Sequence, residues 1–259
     1  MKLFQRLIIS LILLQAPFST PSLAHHGKDY FISKSYHTPN EGTWAALFSA
    51  DYLRLNSHRE DELRGFGIEP GILYGLSNRW SLEIHSHIEK MAGENWHYES
   101  TGIEQRFQIT RWDGSEDRQL PIGVAAALEF EKSSAHEGAD VLQAGMILSN
   151  DGVAHNITAN VLLRKELRRS ASTEFRYALG AKTEISEFMG MAIEFNGTIG
   201  NEVLQQITPA IYLQTESGLR MRLGMSFGIN GNRRDYALRS SLVFDLLSEE
   251  ARNYSPLIL

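Results

Sequence analysis

Cysteine is absent from all 259 residues, which removes disulfide frameworks, thiol chemistry and a lipoprotein anchor in one stroke. Long apolar runs are nearly as scarce. The one present, LIISLILLQAPF at 7–18, falls well short of the roughly 20 residues a helix needs to cross a bilayer. It follows the basic MKLFQR and precedes STPSLA, with small residues Ser22 and Ala24 just before His25. That layout predicts a cleaved secretory signal peptide over 1–24, and no transmembrane helix is expected beyond it. Positive charge is also in deficit. Losing Lys2 and Arg6 with the signal leaves 23 basic against 31 acidic residues, a formal charge of −8. Nucleic acid is therefore not an expected partner, nor is electrostatic attachment to a membrane surface. Helical periodicity is missing throughout.

What the chain has instead is a period of two. In 65–89, GFGIEPGILYGLSNRWSLEIHSHIE, the even positions carry Phe66, Ile68, Pro70, Ile72, Tyr74, Leu76, Trp80, Leu82, Ile84, Ser86 and Ile88. The odd positions carry Gly65, Gly67, Glu69, Gly71, Leu73, Gly75, Ser81, Glu83, His85, His87 and Glu89. Two runs of that kind around Ser77-Asn78-Arg79 predict a β-hairpin with one apolar face and one small or ionisable face. The pattern recurs about every 18 residues: strands are expected near 43–53, 97–110, 120–131, 140–149, 153–165, 174–182, 189–196, 203–214, 219–228 and 236–246. Tight turns are expected at Asn150-Asp151-Gly152, Ile185-Ser186 and 215–218; charged links fill 56–62 and 111–119. Before the first strand, 25–41 shows neither period and reads as a mobile amino-terminal arm that could tuck into a lumen. A polar tail occupies 248–259.

Alternation alone also fits a soluble β-sandwich. Three features favour a membrane barrel: a polar face rich in Gly and Ala, aromatics such as Trp44, Tyr52, Phe66, Tyr74, Trp80 and Tyr236 near strand ends, and strands commonly of ten or more residues. Soluble strands average about five or six residues, whereas a tilted strand crossing a bilayer needs about 9–11. The fold class expected is all-β, an antiparallel up-and-down transmembrane β-barrel of about 12 strands over 42–247. The mostly shorter turns after even strands would put both chain ends in the periplasm.

Two stretches carry a likeness to a known family. Residues 68–83, IEPGILYGLSNRWSLE, and 207–245, ending GMSFGINGNRRDYALRSSLVFD, resemble the outer-membrane meta-pathway phenol degradation, transporter-like, family. There a Pro-x-x-x-Tyr-Gly-Leu-Thr-Asp-Arg run recurs before a strand. Pro70, Tyr74, Gly75, Leu76 and Arg79 match it, with Ser77-Asn78 in place of Thr-Asp. The resemblance covers about residues 42–247 and implies an outer-membrane barrel passing small solutes, hydrophobic ones included. It brings no catalytic residue and no cofactor.

The residues themselves offer a candidate lumen wall. Glu83, His85, His87 and Glu89 share one face at about 7 Å per two residues, a donor set that could hold a divalent metal if another strand supplied a ligand. A plain polar wall is the simpler reading, so His85 and His87 stand as weak metal candidates only. Glu69, Glu104, Arg106, Glu129 and Glu131 join that wall. Arg176, Lys182, Arg220, Arg222, Arg239 and Asp245 line late strands, where the bases could pair across a narrow lumen or set up a transverse field in a wider one. No catalytic motif is present; Ser86 points away from His85 and His87, so no Ser–His device can form there. The expected function is an outer-membrane channel or transporter for passive passage of small solutes. The alternatives are an accessory barrel plugged by its own charged side chains and, third, a membrane-embedded hydrolase. Expected partners are outer-membrane lipid, small-molecule solutes, and periplasmic chaperones with the barrel-assembly machinery during biogenesis.

Overall fold

Period-two sequences pair edge to edge, and an edge left open in a membrane strands unsatisfied N–H and C=O groups, so closure is the stable outcome. A computed structural model, describing residues 30–55, 63–110, 122–134, 138–151, 155–168, 170–199, 205–215, 219–229 and 236–246, shows that closure. Twelve antiparallel strands run in order: β1 Trp44–Leu55, β2 Leu63–Ser77, β3 Trp80–Met91, β4 His97–Gln108, β5 Ile122–Ser133, β6 Val141–Asp151, β7 His155–Glu166, β8 Thr173–Ser186, β9 Met189–Ile199, β10 Gln205–Gln214, β11 Leu219–Gly228 and β12 Tyr236–Leu246. Each strand pairs with its chain neighbours, and β1 meets β12 from Trp44↔Leu246 to Arg54↔Tyr236. No sheet edge is left. The expected signal segment 1–24, arm residues 25–29, the expected links 56–62 and 111–119, the expected turn residues 152 and 216–218, and the expected tail 248–259 lie outside the described residues.

The two faces segregate as expected. Phe66, Ile72, Ile84, Phe107, Leu128, Ile157, Leu163, Met191 and Ile193 all stand exposed on the exterior, while Arg106, Thr158, Glu194 and Thr208 are buried on the interior. A water-soluble monomer rarely exposes apolar patches beyond a few hundred Å², so this continuous apolar wall identifies lipid as its solvent. Aromatic pairs mark both rims. Trp44 packs on Tyr74 at 4.2 Å between ring centroids at one end, and Tyr52 on Phe66 at 4.8 Å at the other. Among the described residues, no helix is long and apolar enough to cross a membrane.

Several boundaries differ from the sequence expectation. The pairing runs through Ser77 and Asp151, so the first turn is Asn78-Arg79 and the Asn150-Asp151 pair is strand; β8 likewise runs through Ser186, moving the next turn to Glu187-Phe188. Polar residues signalled those turns, but cross-strand register carried the strands one or two residues further. Prolines interrupt ladders on one side only. The β2–β3 pairing skips Glu69 and Pro70, and the β10–β11 pairing skips Thr208 and Pro209, while Pro70 still faces Phe48 and Pro209 still faces Ile193. A missing N–H costs one ladder, not both.

Candidate functional site in the lumen

A chain segment with no ladder of its own can be buried only if side chains satisfy its backbone. The arm meets that condition inside the barrel. Gly42, at φ 76°, turns the chain away from β1, and the Gly42 N–H donates to the Gly75 carbonyl at 2.9 Å. From there residues 41–30 run back through the lumen, with Tyr30, Ser33, Ser35, Tyr36 and Thr38 buried. On β7, Asn160 reads both sides of the Lys34 peptide: its Oδ1 accepts the Lys34 N–H at 2.5 Å, and its Nδ2 donates to the Lys34 carbonyl at 2.9 Å. On β4, Arg106 donates to the carbonyls of Ser35 and His37, both at 3.2 Å; on β11, Arg222 donates to the Tyr30 carbonyl at 2.8 Å.

Glu194 on β9 is the strongest grip. Its fully buried carboxylate accepts the backbone N–H groups of Phe31, Ile32 and Ser33 at 2.9, 2.9 and 3.0 Å, and the Ser33 hydroxyl at 3.1 Å. Three consecutive N–H groups closing on one anion form a nest, here made by the arm around a charge supplied by the wall. The small inner face now has a use as well. A Cβ on Gly123 would collide with the Tyr36 ring, so glycine there makes room for the arm.

The acidic wall is ordered by register. Glu83, Glu104 and Glu129 lie directly side by side on β3, β4 and β5. Like charges so placed repel unless cations separate them. The cations are Lys34 of the arm, paired with Glu104, and Arg106, whose Nη2 lies 3.2 Å from Glu104 Oε1. His85 bridges the row, with Nδ1 3.4 Å from Glu83 and Nε2 3.3 Å from Glu129; Gln143 donates to Glu129 at 2.8 Å. Gly102 opposite leaves space for that imidazole, since a Cβ would strike its ring.

Farther along β3 the wall changes character. β4 carries an extra residue here: His87 faces Ser100, the next pair is Ile88↔Tyr98, and Glu99 is the bulge between them. A bulge re-aims a side chain, and Glu99 Oε2 comes within 3.1 Å of His87 Nε2. Glu89 Oε2 lies 3.9 Å from the same nitrogen, Glu89 Oε1 lies 3.0 Å from His97 Nε2, and Glu69 Oε2 lies 3.9 Å from His87 Nδ1.

The late-strand bases do not reach across to this wall in the pairs they make. Arg176 forks onto Glu174 at 3.2 and 3.3 Å, Arg220 meets Asp245 at 2.5 Å, and Arg239 meets Asp51 at 2.8 Å. Lys182 sits over the Tyr212 ring, 5.2 Å from its centroid. This pairing is lateral, because the arm lies where bridges across the lumen would run. Between arm and wall remains a cavity of about 210 Å³, bounded by Ile32 and Lys34 below and by Glu129, Gln143, Arg176 and Tyr177 around it.

The wall residues expected from the sequence are on the inner face, including Glu131, opposite Gly102 and Val141. Reasoning from sequence missed Glu194, Asn160, Lys34 and Glu99. A lone carboxylate among the inward Gly190, Ala192 and Asn196 of β9 was the one available sign of Glu194; nothing in the pattern announces the bulge at Glu99. Ser86 hydrogen-bonds Thr101 at 3.2 Å on the face opposite His85 and His87.

An apolar exterior, a polar interior and full closure define the class: a membrane-spanning β-barrel with an internal plug. No protein-family model matches the chain, and no curated protein matches its sequence. Solved structures do. The fold is similar to the COG4313 outer membrane channel from Pseudomonas putida F1, with TM-score 0.59 and 11% identity over 81% of this chain and 97% of that one. It is also similar to the NanC porin, with TM-score 0.57 and 11% identity over 76% and 98% of the two chains. The KdgM porin in complex with disordered oligogalacturonate follows at 0.51 and 8%, over 74% and 97%. At these identities the likeness is one of fold, and it is the barrel that the resemblance in 68–83 and 207–245 implied.

Proposed function

We propose that the chain is an outer-membrane channel for passive passage of small solutes, with its own arm as resident plug. One observation carries this reading: a segment of the chain's own arm, residues 30–41, runs through the lumen beside a cavity of about 210 Å³. Withdrawing an extended peptide would leave a passage on the order of 5 by 10 Å, suited to small molecules and not to folded or bulky ones. The end where the arm enters β1 faces the periplasm in this reading, after signal cleavage near Ala24 and assembly by the envelope's chaperone and barrel-insertion machinery. The Ser86 hydroxyl, bonded to Thr101, is on the lipid face, away from both imidazoles.

Charge narrows the solute. Arg176, Arg220 and Arg239 are each paired with a carboxylate, Glu174, Asp245 and Asp51, whereas Glu69, Glu89 and Glu99 meet only imidazoles among the described residues. The open part of the lumen is therefore acidic, and neutral or cationic solutes should pass in preference to anions. Purified, folded protein in liposomes tests this: uptake of a small sugar and of K⁺ above that of Cl⁻ is expected, and impermeability to all three would remove the channel. The second reading, a permanently sealed accessory barrel, is favoured by how completely Glu194 and Asn160 satisfy the arm; it predicts that impermeability.

A further inference from the structure

We infer that the rim of the lumen farthest from the arm's entry holds a binding site for a late first-row divalent cation of the zinc class. Its ligands would be His87 Nε2 and Glu89 Oε2 on β3 and Glu99 Oε2 on β4, and the inference stands whether or not the lumen conducts. These three donor atoms all lie within 4.8 Å of one another. A tetrahedral zinc with bonds of 2.0–2.2 Å needs its donors about 3.3 Å apart. The observed separations from His87 Nε2, 3.1 Å to Glu99 and 3.9 Å to Glu89, bracket that value. A small rotation of Glu89 would complete the geometry, leaving the fourth position to water or a solute.

The surroundings favour a cation with some nitrogen affinity. Glu89 is held from its other oxygen by His97 at 3.0 Å, and Glu69 faces the other His87 nitrogen at 3.9 Å. Partners of that kind orient metal ligands and raise their basicity. Among the described residues no Lys or Arg pairs with Glu69, Glu89 or Glu99, so three carboxylates lack a balancing full charge that a divalent ion would supply. The deeper group of Glu69, Glu83 and His85 differs in this respect. Its row already holds Lys34 and Arg106 against Glu104, and His85 is engaged by Glu129. An imidazole with two carboxylates suits zinc, cobalt, nickel or copper, whereas calcium and magnesium favour oxygen-only cages. The three side chains are between 30% and 48% exposed, so an ion can enter from solvent. No cation of the arm or wall blocks that entry among the described residues.

The test uses the untagged mature protein, folded in detergent and cleared of metal with chelator, titrated calorimetrically with zinc chloride. One equivalent should bind, and excess Mg²⁺ should not displace it. His87→Ala with Glu99→Gln should abolish the site, and His97→Ala should weaken it roughly 10-fold. His25→Ala with His26→Ala, in the arm, should leave it unchanged. Heat-modifiable gel mobility reports whether each variant is folded. On the parent protein alone, Co²⁺ should give the strong visible bands of a four-coordinate N/O site. Absence of a one-equivalent site, displacement by Mg²⁺, an unaltered His87→Ala/Glu99→Gln isotherm, loss of the site in the arm variant, or a hexaaqua-like Co²⁺ spectrum would each overturn the inference.

Discussion

Removing one charge should loosen the whole arm. Glu194→Gln keeps the size and one acceptor oxygen but places an NH₂ group against backbone N–H donors that now meet a carboxylate at 2.9–3.0 Å. At least one bond is replaced by a donor facing a donor, and the others lose their charge assistance. Hydrogen bonds to charged groups contribute about 1.5–3 kcal/mol each, so a net loss of about 3 kcal/mol is expected for the docked arm relative to the free one. Since about 1.4 kcal/mol is a factor of ten, the undocked population should rise about 100-fold. The absence of cysteine makes the measurement simple. Ser35 is 1% exposed in the docked arm, so Ser35→Cys should react with a water-soluble maleimide only when the arm leaves. Adding Glu194→Gln to that background should speed labelling by about two orders of magnitude when the arm opens and recloses faster than the maleimide reacts, because the rate then follows the undocked population. Labelling at the rate of a free thiol in the parent, or a rate unmoved by Glu194→Gln, would refute the claim that this carboxylate anchors the arm.

Three further outcomes follow from the same geometry. Gly123→Val puts a side chain where the Tyr36 ring lies, and should raise both Ser35→Cys labelling and ion conductance in a barrel that still shows heat-modifiable mobility. Lys34→Glu sets a fourth carboxylate against the row of Glu83, Glu104 and Glu129, so the arm should be expelled; the corresponding Lys34→Gln should do so less, read by the same labelling rate. On the exterior, Val161→Arg near the middle of β7 should cost about 2–4 kcal/mol in denaturant unfolding from lipid vesicles, because that side chain faces the hydrocarbon. An unchanged midpoint would mean that this face does not contact lipid.

Much of the fold was legible because lipid and lumen impose opposite demands on alternate residues. Leu219, Met221, Leu223, Met225 and Phe227 against Arg220, Arg222, Gly224, Ser226 and Gly228 leave one orientation for β11, and the structure has it. The ends were less legible. Asp151 and Ser186 carry turn-like side chains yet remain in their ladders, because pairing with Asn156 and Met189 outweighs local preference. The site was half visible. Glu83, His85, His87 and Glu89 announce a polar wall through their spacing, but their partners Glu99, Glu104 and Glu129 depend on which strands become neighbours and on a bulge that no period encodes. The arm was the least visible part. Its residues carry no repeat, and its conformation is dictated by Glu194, Asn160, Arg106 and Arg222 on four separate strands. Such a contact set exists only once the barrel has closed.

The most direct test of the central claim is single-channel recording in planar bilayers from the mature chain and from a version lacking residues 25–39. If the arm is a resident plug in an otherwise open barrel, the mature chain should conduct weakly or intermittently, and the shortened chain should hold a steady, larger, cation-preferring conductance. Equal conductance with and without the arm, or none from either while both remain folded, would contradict the account.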